Sequence, residues 1–241
     1  MADTLTRTGL VVEHRPFATL GKAEHGWLHA NHHFSFASYY DPARMHWGDI
    51  RVWNDDEIAG QSGFPPHAHD NMEIITYVRE GAITHRDSMS NVGRTQAGDV
   101  QVMSAGTGVT HSEFNVEDGV CRLFQIWVLP RERSVAPAWD QRQFPKSDRS
   151  GNFTVLASGY GEADALVINA NARVLGATAL AGETLTFAVE AGRYAYLVSA
   201  KGRIRVNGVE GSARDGFAIT GDGALTIEAL DDVELVMVDS A

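Results

Sequence analysis

Short segments in which apolar and polar residues alternate recur along the whole chain, and long stretches with helical periodicity are scarce. Each segment has the two-residue period of a β-strand and stops at a turn-forming residue, which is typical of strands joined by turns. The clearest predicted strands are residues 73–78, 99–103, 121–129, 153–156, 184–189, 194–198, 203–206, 225–228 and 234–238. Asn207-Gly208 follows the strand at 203–206 and suits a type I′ hairpin turn. The pattern predicts an all-β chain with an antiparallel sandwich or barrel that is formed twice.

The segment between the two sets of strands is polar and rich in proline, which is typical of a linker. We therefore predict an N-terminal domain at residues 1–130, a linker at 131–150 and a C-terminal domain at 151–241. All ten histidines lie between His14 and His111. Imidazole chemistry is thus expected only in the first half, and the second half is predicted to be a structural or dimerising partner.

Two short motifs in the first half indicate a metal site. His67 and His69 are two residues apart, so on one strand both imidazoles project from the same face. His111 and Glu113 repeat that spacing and add a carboxylate. A His-x-His pair also occurs by chance, but here Gly-Phe-Pro-Pro precedes the first motif and a glycine-rich turn at 106–108 precedes the second. Three imidazoles and one carboxylate suit one divalent transition metal and leave coordination positions open, as a catalytic site requires.

Composition narrows the classes of partner. Hydrophobic residues make up 44% and charged residues 21%, the profile of a folded, soluble protein. The net charge of −11 argues against direct contact with nucleic acid, because phosphates repel an acidic surface. Cys121 is the only cysteine and lies in an apolar run, so we expect a buried thiol and a reducing compartment. The first residues lack a leader-like apolar stretch and no segment reaches membrane-spanning length, so a cytoplasmic protein without a membrane partner is predicted.

Two longer segments carry a family resemblance. GFPPHAHDNMEIITYVREG (63–81) and AGDVQVMSAGTGVTHSEFN (97–115) resemble the two cupin motifs in the form found in pirins. HHFSFASYYDPA (32–43), RVWNDDEIAGQSGF (51–64) and FQIWVLP (124–130) also resemble pirin segments. The likeness to short bacterial pirins covers nearly the whole chain, more loosely in the second half.

The resemblance implies a bicupin fold, in which two antiparallel jelly-roll barrels pack face to face and only the N-terminal one binds metal. It implies His67, His69, His111 and Glu113 as metal ligands. The implied metal is Fe(2+), with Zn, Mn, Ni, Co or Cu as alternatives. The implied activity is that of a quercetin 2,3-dioxygenase, an oxidoreductase that opens a flavonol-like substrate with O2 while Glu113 takes the proton of its 3-hydroxyl.

Glu73 is the alternative carboxylate. It lies where many other cupins take a ligand from the first motif, and simple strand alternation places it on the face of His67 and His69. The resemblance to pirins favours Glu113 and leaves Glu73 to orient a histidine or a bound water.

Other residues in the first half have simpler interpretations. His32 and His33 are adjacent, so at most one faces inward, and we expect both to be structural. His85 is expected to be polar lining near the barrel mouth, and Asn115 is expected on the face of Glu113, within reach of a ligand. The aromatic residues Phe64, Phe114, Phe124 and Trp127 are expected in the core, some of them walling a pocket.

Two other function classes stay open at this point. Pirins are also linked to regulation, so the chain is alternatively a metal-binding, redox-sensing protein that acts through a protein partner without turnover. Cupins also include metal-dependent isomerases and hydrolases, which work without O2 and with zinc. Fold alone does not decide among these classes.

Overall fold

A computed structural model describes residues 9–241. The prediction that the first residues form no leader concerns a segment that lies mostly outside the described residues. The described chain is built almost entirely of strands. Those up to residue 142 are β1 Val11–Arg15, β2 Gly21–Glu24, β3 Leu28–His32, β4 Ile50–Ile58, β5 Ser62–His69, β6 Glu73–Glu80, β7 Ala82–Asp87, β8 Val92–Gln96, β9 Val100–Ser104, β10 Val109–Asn115, β11 Cys121–Val128 and β12 Ala138–Arg142. Those that follow are β13 Thr154–Ser158, β14 Leu166–Val167, β15 Ala172–Ala179, β16 Thr184–Val189, β17 Tyr194–Lys201, β18 Ile204–Val206, β19 Val209–Gly211, β20 Gly216–Thr220, β21 Gly223–Ala229 and β22 Val233–Ser240.

Helix in residues 9–241 is limited to three short 3-10 segments, Phe17–Thr19, Pro42–Arg44 and Lys146–Arg149. None of the described helices has the length and apolar character needed to cross a membrane. The predicted hairpin is confirmed, because Asn207 and Gly208 join β18 to β19 with φ of 44° and 87°. Both angles are positive, as a type I′ turn requires.

The first half is a sandwich of two sheets. A seven-stranded sheet has the order β12-β9-β6-β11-β4-β3-β2, and a four-stranded sheet has the order β5-β10-β7-β8. Neighbouring strands in both sheets are antiparallel. The predicted all-β bicupin is confirmed in this form, with two facing sheets in each half rather than a closed barrel.

The second half repeats this plan. Its seven-stranded sheet has the order β1-β20-β17-β22-β15-β13-β14, and its four-stranded sheet has the order β16-β21-β18-β19. Apolar side chains such as Leu197, Phe217 and Ile227 fill the space between these sheets and are fully buried. The interior of the second sandwich is therefore a packed apolar core.

The two large sheets pack face to face and share one apolar core. Trp53 on β4 lies 5.5 Å from Tyr196 on β17, measured between ring centroids. Side chains alternate along β4, so Trp53 and Asp55 face the second half while Asn54 and Asp56 face the interior of the first sandwich. Asp55 accordingly accepts a 2.5 Å hydrogen bond from Nε of Arg214, which belongs to the second half.

Two edge strands do not follow the predicted domain limits. β1, near the start of the chain, pairs with β20. β12 lies within the predicted linker 131–150 and pairs with β9. The proposed limits 1–130 and 151–241 stay a prediction of how the chain divides.

Candidate metal centre

Pairing between β5 and β10 brings three histidines together. His111 lies directly opposite His67, and Val109 lies opposite His69. The ring of His111 is 4.4 Å from that of His67 and 5.0 Å from that of His69, measured between centroids. One ring nitrogen from each residue lies within 4.8 Å of the other two. This is the convergence predicted from the two His motifs.

The chemistry of this cluster fits a metal ion. Nε2 of His111 is buried and has no hydrogen-bond partner among the described residues. Burial, with the neighbouring imidazole of His67, lowers the pKa of His69 to about 4 and that of His111 to about 3. Both rings are thus neutral near pH 7, with lone pairs available. Neutral imidazoles are good ligands for divalent transition metals.

Glu113 lies in the same interior but is held by other side chains. The strand pairing shifts by one residue between His111 and Glu113, and the buried Glu113 lies opposite Phe64. Its Oε1 accepts hydrogen bonds of 2.7 Å from Nε2 of Gln101 and 3.2 Å from Oγ1 of Thr76. Among the described residues, the group whose candidate ligand atoms lie within 4.8 Å contains the three histidines and not Glu113. Its role as the fourth ligand stays a prediction.

A cavity of about 610 Å³ opens beside the histidines. His67 and His69 form part of its lining, and the rings of Trp127 and His69 lie nearly perpendicular with a centroid distance of 5.0 Å. The other lining residues are Ala23, His25, Trp27, Leu28, Ala30, His32, Phe36, Ala37, Asn54, Asp56, Phe64, Pro65 and Gln125. The volume is within the usual range for small-molecule sites.

The cavity has an apolar wall and a polar floor. Aromatic rings line its sides, and Trp27 packs edge-on against Phe64 at 5.1 Å between centroids. Its floor lies on the large sheet, where Asn54, Asp56 and Gln125 are buried. A flat aromatic molecule with a few oxygen atoms matches this distribution.

Comparison with known proteins identifies the family. The family model described as Pirin matches residues 13–128, and the one described as Quercetinase C-terminal cupin domain matches residues 155–240. A protein named "Pirin-like protein" from Caulobacter vibrioides is 59% identical over 96% of this chain and 100% of its own length. The chain belongs to the pirin family.

Two further relatives describe what this pirin is similar to. A protein named quercetin 2,3-dioxygenase from Escherichia coli K12 is 39% identical over 91% of this chain and 94% of its own length. The crystal structure of the bacterial pirin YhhW from Escherichia coli in complex with nickel(II) superimposes with a TM-score of 0.90 at 36% identity. That match covers 95% of this chain and 99% of YhhW.

Glu73 does not lie in this pirin's histidine cluster, so the expectation that it orients a histidine there was wrong. Its Oε1 accepts a 2.6 Å hydrogen bond from Ser104, and its Oε2 accepts a 2.9 Å bond from the backbone N–H of Asn169 in the second half. β5 and β6 belong to different sheets, so the alternation that aligns His67 with His69 does not continue to Glu73 across the intervening turn.

His85 is behind the histidine cluster and does not line the cavity, which corrects the expectation of polar lining near the barrel mouth. It is buried, and its Nδ1 lies 3.5 Å from Nδ1 of His111. Its Nε2 is 3.0 Å from Oδ2 of Asp87. Burial opposes ionisation of Asp87, but hydrogen bonds from His85 and Asn91 lower its pKa below the ordinary value. The ring also stacks on Trp139, 4.9 Å away and tilted by 10°.

Asn115 serves the backbone and does not face a ligand, so that expectation was also wrong. It is fully buried, and its Nδ2 donates to the carbonyl oxygens of Ile58, Ala59 and Gly119. Its Oδ1 accepts from the N–H of Glu117. These bonds fix the loop that follows β10.

Of the other predictions for single residues, those for the two adjacent histidines, Phe124 and the cysteine are confirmed, and that for Phe114 is wrong. His32 and His33 do face opposite ways, since His32 lines the cavity while Nδ1 of His33 lies 2.9 Å from the Tyr196 hydroxyl at the contact between halves. Phe124 is core, whereas Phe114 is 39% exposed. Cys121 is buried, which raises the pKa of its thiol to about 12 and leaves it a neutral apolar side chain.

A row of polar residues crosses the large sheet and was not anticipated. Six side chains lie in register on neighbouring strands: His32, Asn54, Gln125, Thr76, Gln101 and Gln141. Three of them donate to Glu113, because Gln125 adds a 2.5 Å bond from Nε2 to Oε2. The sequence contains a signal for this row, since Thr76, Gln101 and Gln125 each interrupt an otherwise apolar strand.

Proposed function

We propose that this pirin is a mononuclear metal-dependent dioxygenase that opens the ring of quercetin-type flavonols. The observation that carries the proposal is the histidine cluster itself, which faces an aromatic-walled cavity of small-molecule size. The name of the Escherichia coli relative supports the same substrate class.

His67, His69 and His111 would hold the metal, with Glu113 as the fourth ligand. We propose Fe(2+) as the native ion, while the nickel(II) in YhhW supports a site that accepts several divalent metals. When bound, such an ion supplies a Lewis acid for an oxygen donor and, where it is redox-active, a means of reacting with O2.

The chain's own residues supply the base and the dry surroundings. Glu113 accepts the proton of the substrate's 3-hydroxyl, and the three side chains that donate to it fix the direction of its carboxylate. Trp27, Phe64 and Trp127 exclude water and offer flat faces and edges to the flavonol rings.

The test is O2 uptake with quercetin by protein that has been stripped of metal and reloaded anaerobically with Fe(II). Parallel samples carry Ni(II) or Zn(II), and the His69→Ala variant is the matched control. We expect O2 uptake and loss of flavonol absorbance with a redox-active metal, little with zinc, and none in the variant.

Metal content is measured on the same samples, so that binding and turnover are separated. One tightly bound metal per chain without O2 uptake would overturn the dioxygenase proposal and favour a regulatory role. Turnover with zinc in the absence of O2 would instead favour an isomerase or hydrolase.

A further inference from the structure

Asp56 is a buried carboxyl group on the cavity floor that lacks a protein partner. Only 1% of its surface is exposed, and its Oδ1 has no hydrogen bond within residues 9–241. Buried polar atoms in native proteins are nearly always paired, and an exception calls for an explanation such as a ligand. Asp56 lines the same cavity as His67 and His69, so a bound molecule can supply the missing partner.

The arginines nearby form their ion pairs with a different carboxylate. Arg79 and Arg214 both pair with Asp55, which projects from the opposite face of β4. Burial, together with the carboxylates of Asp55 and Glu113, raises the pKa of Asp56 well above its ordinary value. In its protonated form, which this shift favours, the side chain offers one O–H donor and one carbonyl acceptor.

Asn54 stands beside Asp56 on the same face of β4. Its Oδ1 lies 2.8 Å from Nδ1 of His32, which fixes the amide and directs Nδ2 away from that contact. Nδ2 has no acceptor among the described residues of the chain. Side by side on the cavity lining, the carboxyl and the amide present hydrogen-bonding atoms that the protein leaves unpartnered, and a hydroxyl group can donate to one and accept from the other.

This polar pair is close to the group that holds Glu113. Asn54 is directly opposite Gln125 on β11, and Gln125 donates to Glu113. Neighbouring strands are about 4.8 Å apart, so Asn54 lies about one strand spacing from Gln125, whose amide contacts that carboxylate. Two oxygens on one flat ring system span such a distance.

We propose that Asp56 and Asn54 form a hydrogen-bonding subsite that recognises a second hydroxyl group of a polyhydroxylated aromatic substrate. The inference rests on the proposed function, because it assigns a first oxygen of the same substrate to the histidine cluster. Asp56 acts in positioning and specificity, and it is not required for the ring-opening step itself.

The test compares two probes that differ only in their hydroxyl groups. One is quercetin, and the other is 3-hydroxyflavone, which keeps the 3-hydroxyl and 4-carbonyl but lacks the remaining hydroxyls. Binding is measured anaerobically by quenching of tryptophan fluorescence, in metal-free and in Zn(II)-loaded protein. No turnover is needed, so failure of the dioxygenase proposal leaves this measurement intact.

Asp56→Leu removes both hydrogen-bonding atoms at nearly constant size, and Asp56→Asn keeps a neutral donor and acceptor. We expect Asp56→Leu to weaken quercetin binding about tenfold, the usual effect of losing a hydrogen bond to a buried partner. Binding of 3-hydroxyflavone should change less than about twofold, and Asp56→Asn should stay close to wild type for both probes. Equal losses for the two probes, or none for either, would overturn the proposal.

An infrared measurement covers the case in which Asp56→Leu does not fold. The protonated carboxyl band that is absent from Asp56→Asn belongs to Asp56. Addition of quercetin should shift that band in the wild-type protein, and 3-hydroxyflavone should leave it in place. A band that neither probe moves would contradict contact between Asp56 and the substrate.

Discussion

Gln125 on β11 donates a hydrogen bond to Glu113 on β10, and this contact of 2.5 Å joins the two sheets of the first sandwich. Gln101 on β9, another strand of the large sheet, donates to Oε1, the other carboxylate oxygen of Glu113. The Glu113 carboxylate, proposed as ligand and base, is thus held by side chains of the large sheet. The three histidines lie on β5 and β10 of the small sheet. The site exists only where both sheets face each other.

Replacement of Gln125 by leucine should destabilise the metal-free protein. The buried Oε2 of Glu113 loses its donor, so we expect the free energy of unfolding to fall by about 1–3 kcal/mol. Urea denaturation of Gln125→Leu, Glu113→Gln and the double variant measures the coupling between the two residues. Simple additivity of the two losses would show that the hydrogen bond contributes nothing measurable.

Metal titration separates a three-ligand site from a four-ligand site. His69→Ala should lower Ni(II) affinity by about 100-fold or more, because it removes a direct ligand from the cluster. Glu113→Gln should do the same if the carboxylate binds the ion, while the amide keeps the shape of the side chain. Calorimetry on both variants decides the point, and wild-type affinity in Glu113→Gln would limit the ligands to the three histidines.

His85 should set the orientation of His111 through their contact. Its own ring is oriented by Asp87, an arrangement that commonly supports metal-binding histidines. We expect His85→Ala to lower Co(II) affinity by about 10–100-fold and to change the visible spectrum of the Co(II) protein.

His85→Asn is the matched control for that experiment, because its amide oxygen can occupy the place of the Nδ1 that faces His111 and accept from that ring. It should recover most of the Co(II) affinity and a spectrum close to that of the wild type. A spectrum unchanged in His85→Ala would show that the contact has no influence on the metal.

The stability of the protein should fall on acidification, with His33 as a contributor. Complete burial, followed by the positive charges of Arg44 and Arg15, lowers the pKa of His33 well below its ordinary value of 6.5. The folded state favours the neutral ring, so this stability is fully present above about pH 6.5 and is lost as the pH falls below it.

The change in the free energy of unfolding is at most about 1.4 kcal/mol per pH unit from this one group. His33→Asn retains an acceptor for the Tyr196 hydroxyl but cannot be protonated. Melting temperatures between pH 8 and pH 5 should therefore depend less steeply on pH in His33→Asn than in the wild type. Parallel curves would assign the acid sensitivity to other groups.

Local patterns in the sequence predicted the features that depend on one strand alone, namely its position and the face to which each side chain points. Alternation located the strands, placed His67 and His69 on one face, and gave His32 and His33 opposite faces, all without knowledge of the sheet order. The cupin motifs added the convergence of β5 with β10, which spacing alone leaves open.

Alternation along one strand could not predict contacts between strands that are distant in sequence. Glu73 follows a turn into another sheet, so its face could not be deduced from that of His69. His85 reaches His111 only because β7 pairs with β10, and two of the carbonyl oxygens that occupy Asn115, those of Ile58 and Ala59, are far away in sequence. Polar residues inside apolar strands, such as Gln125, are the sequence signal that would have revealed the support of Glu113.

The positions of the edge strands β1 and β12 limit how the two cupins can be recombined. A chimera that joins the second half of this chain to the first half of a relative must also bring residues 11–15, because they cover the edge of β20. The donor of the first half must in turn keep residues 138–142 against β9. A chimera joined at residue 130 would pair β1 and β12 with sheet edges from the other protein. Backbone groups left unpaired on those edges invite aggregation. The second sandwich is therefore encoded in two separated stretches, residues 11–15 and 154–240, while the strands of the first lie in one stretch, residues 21–142.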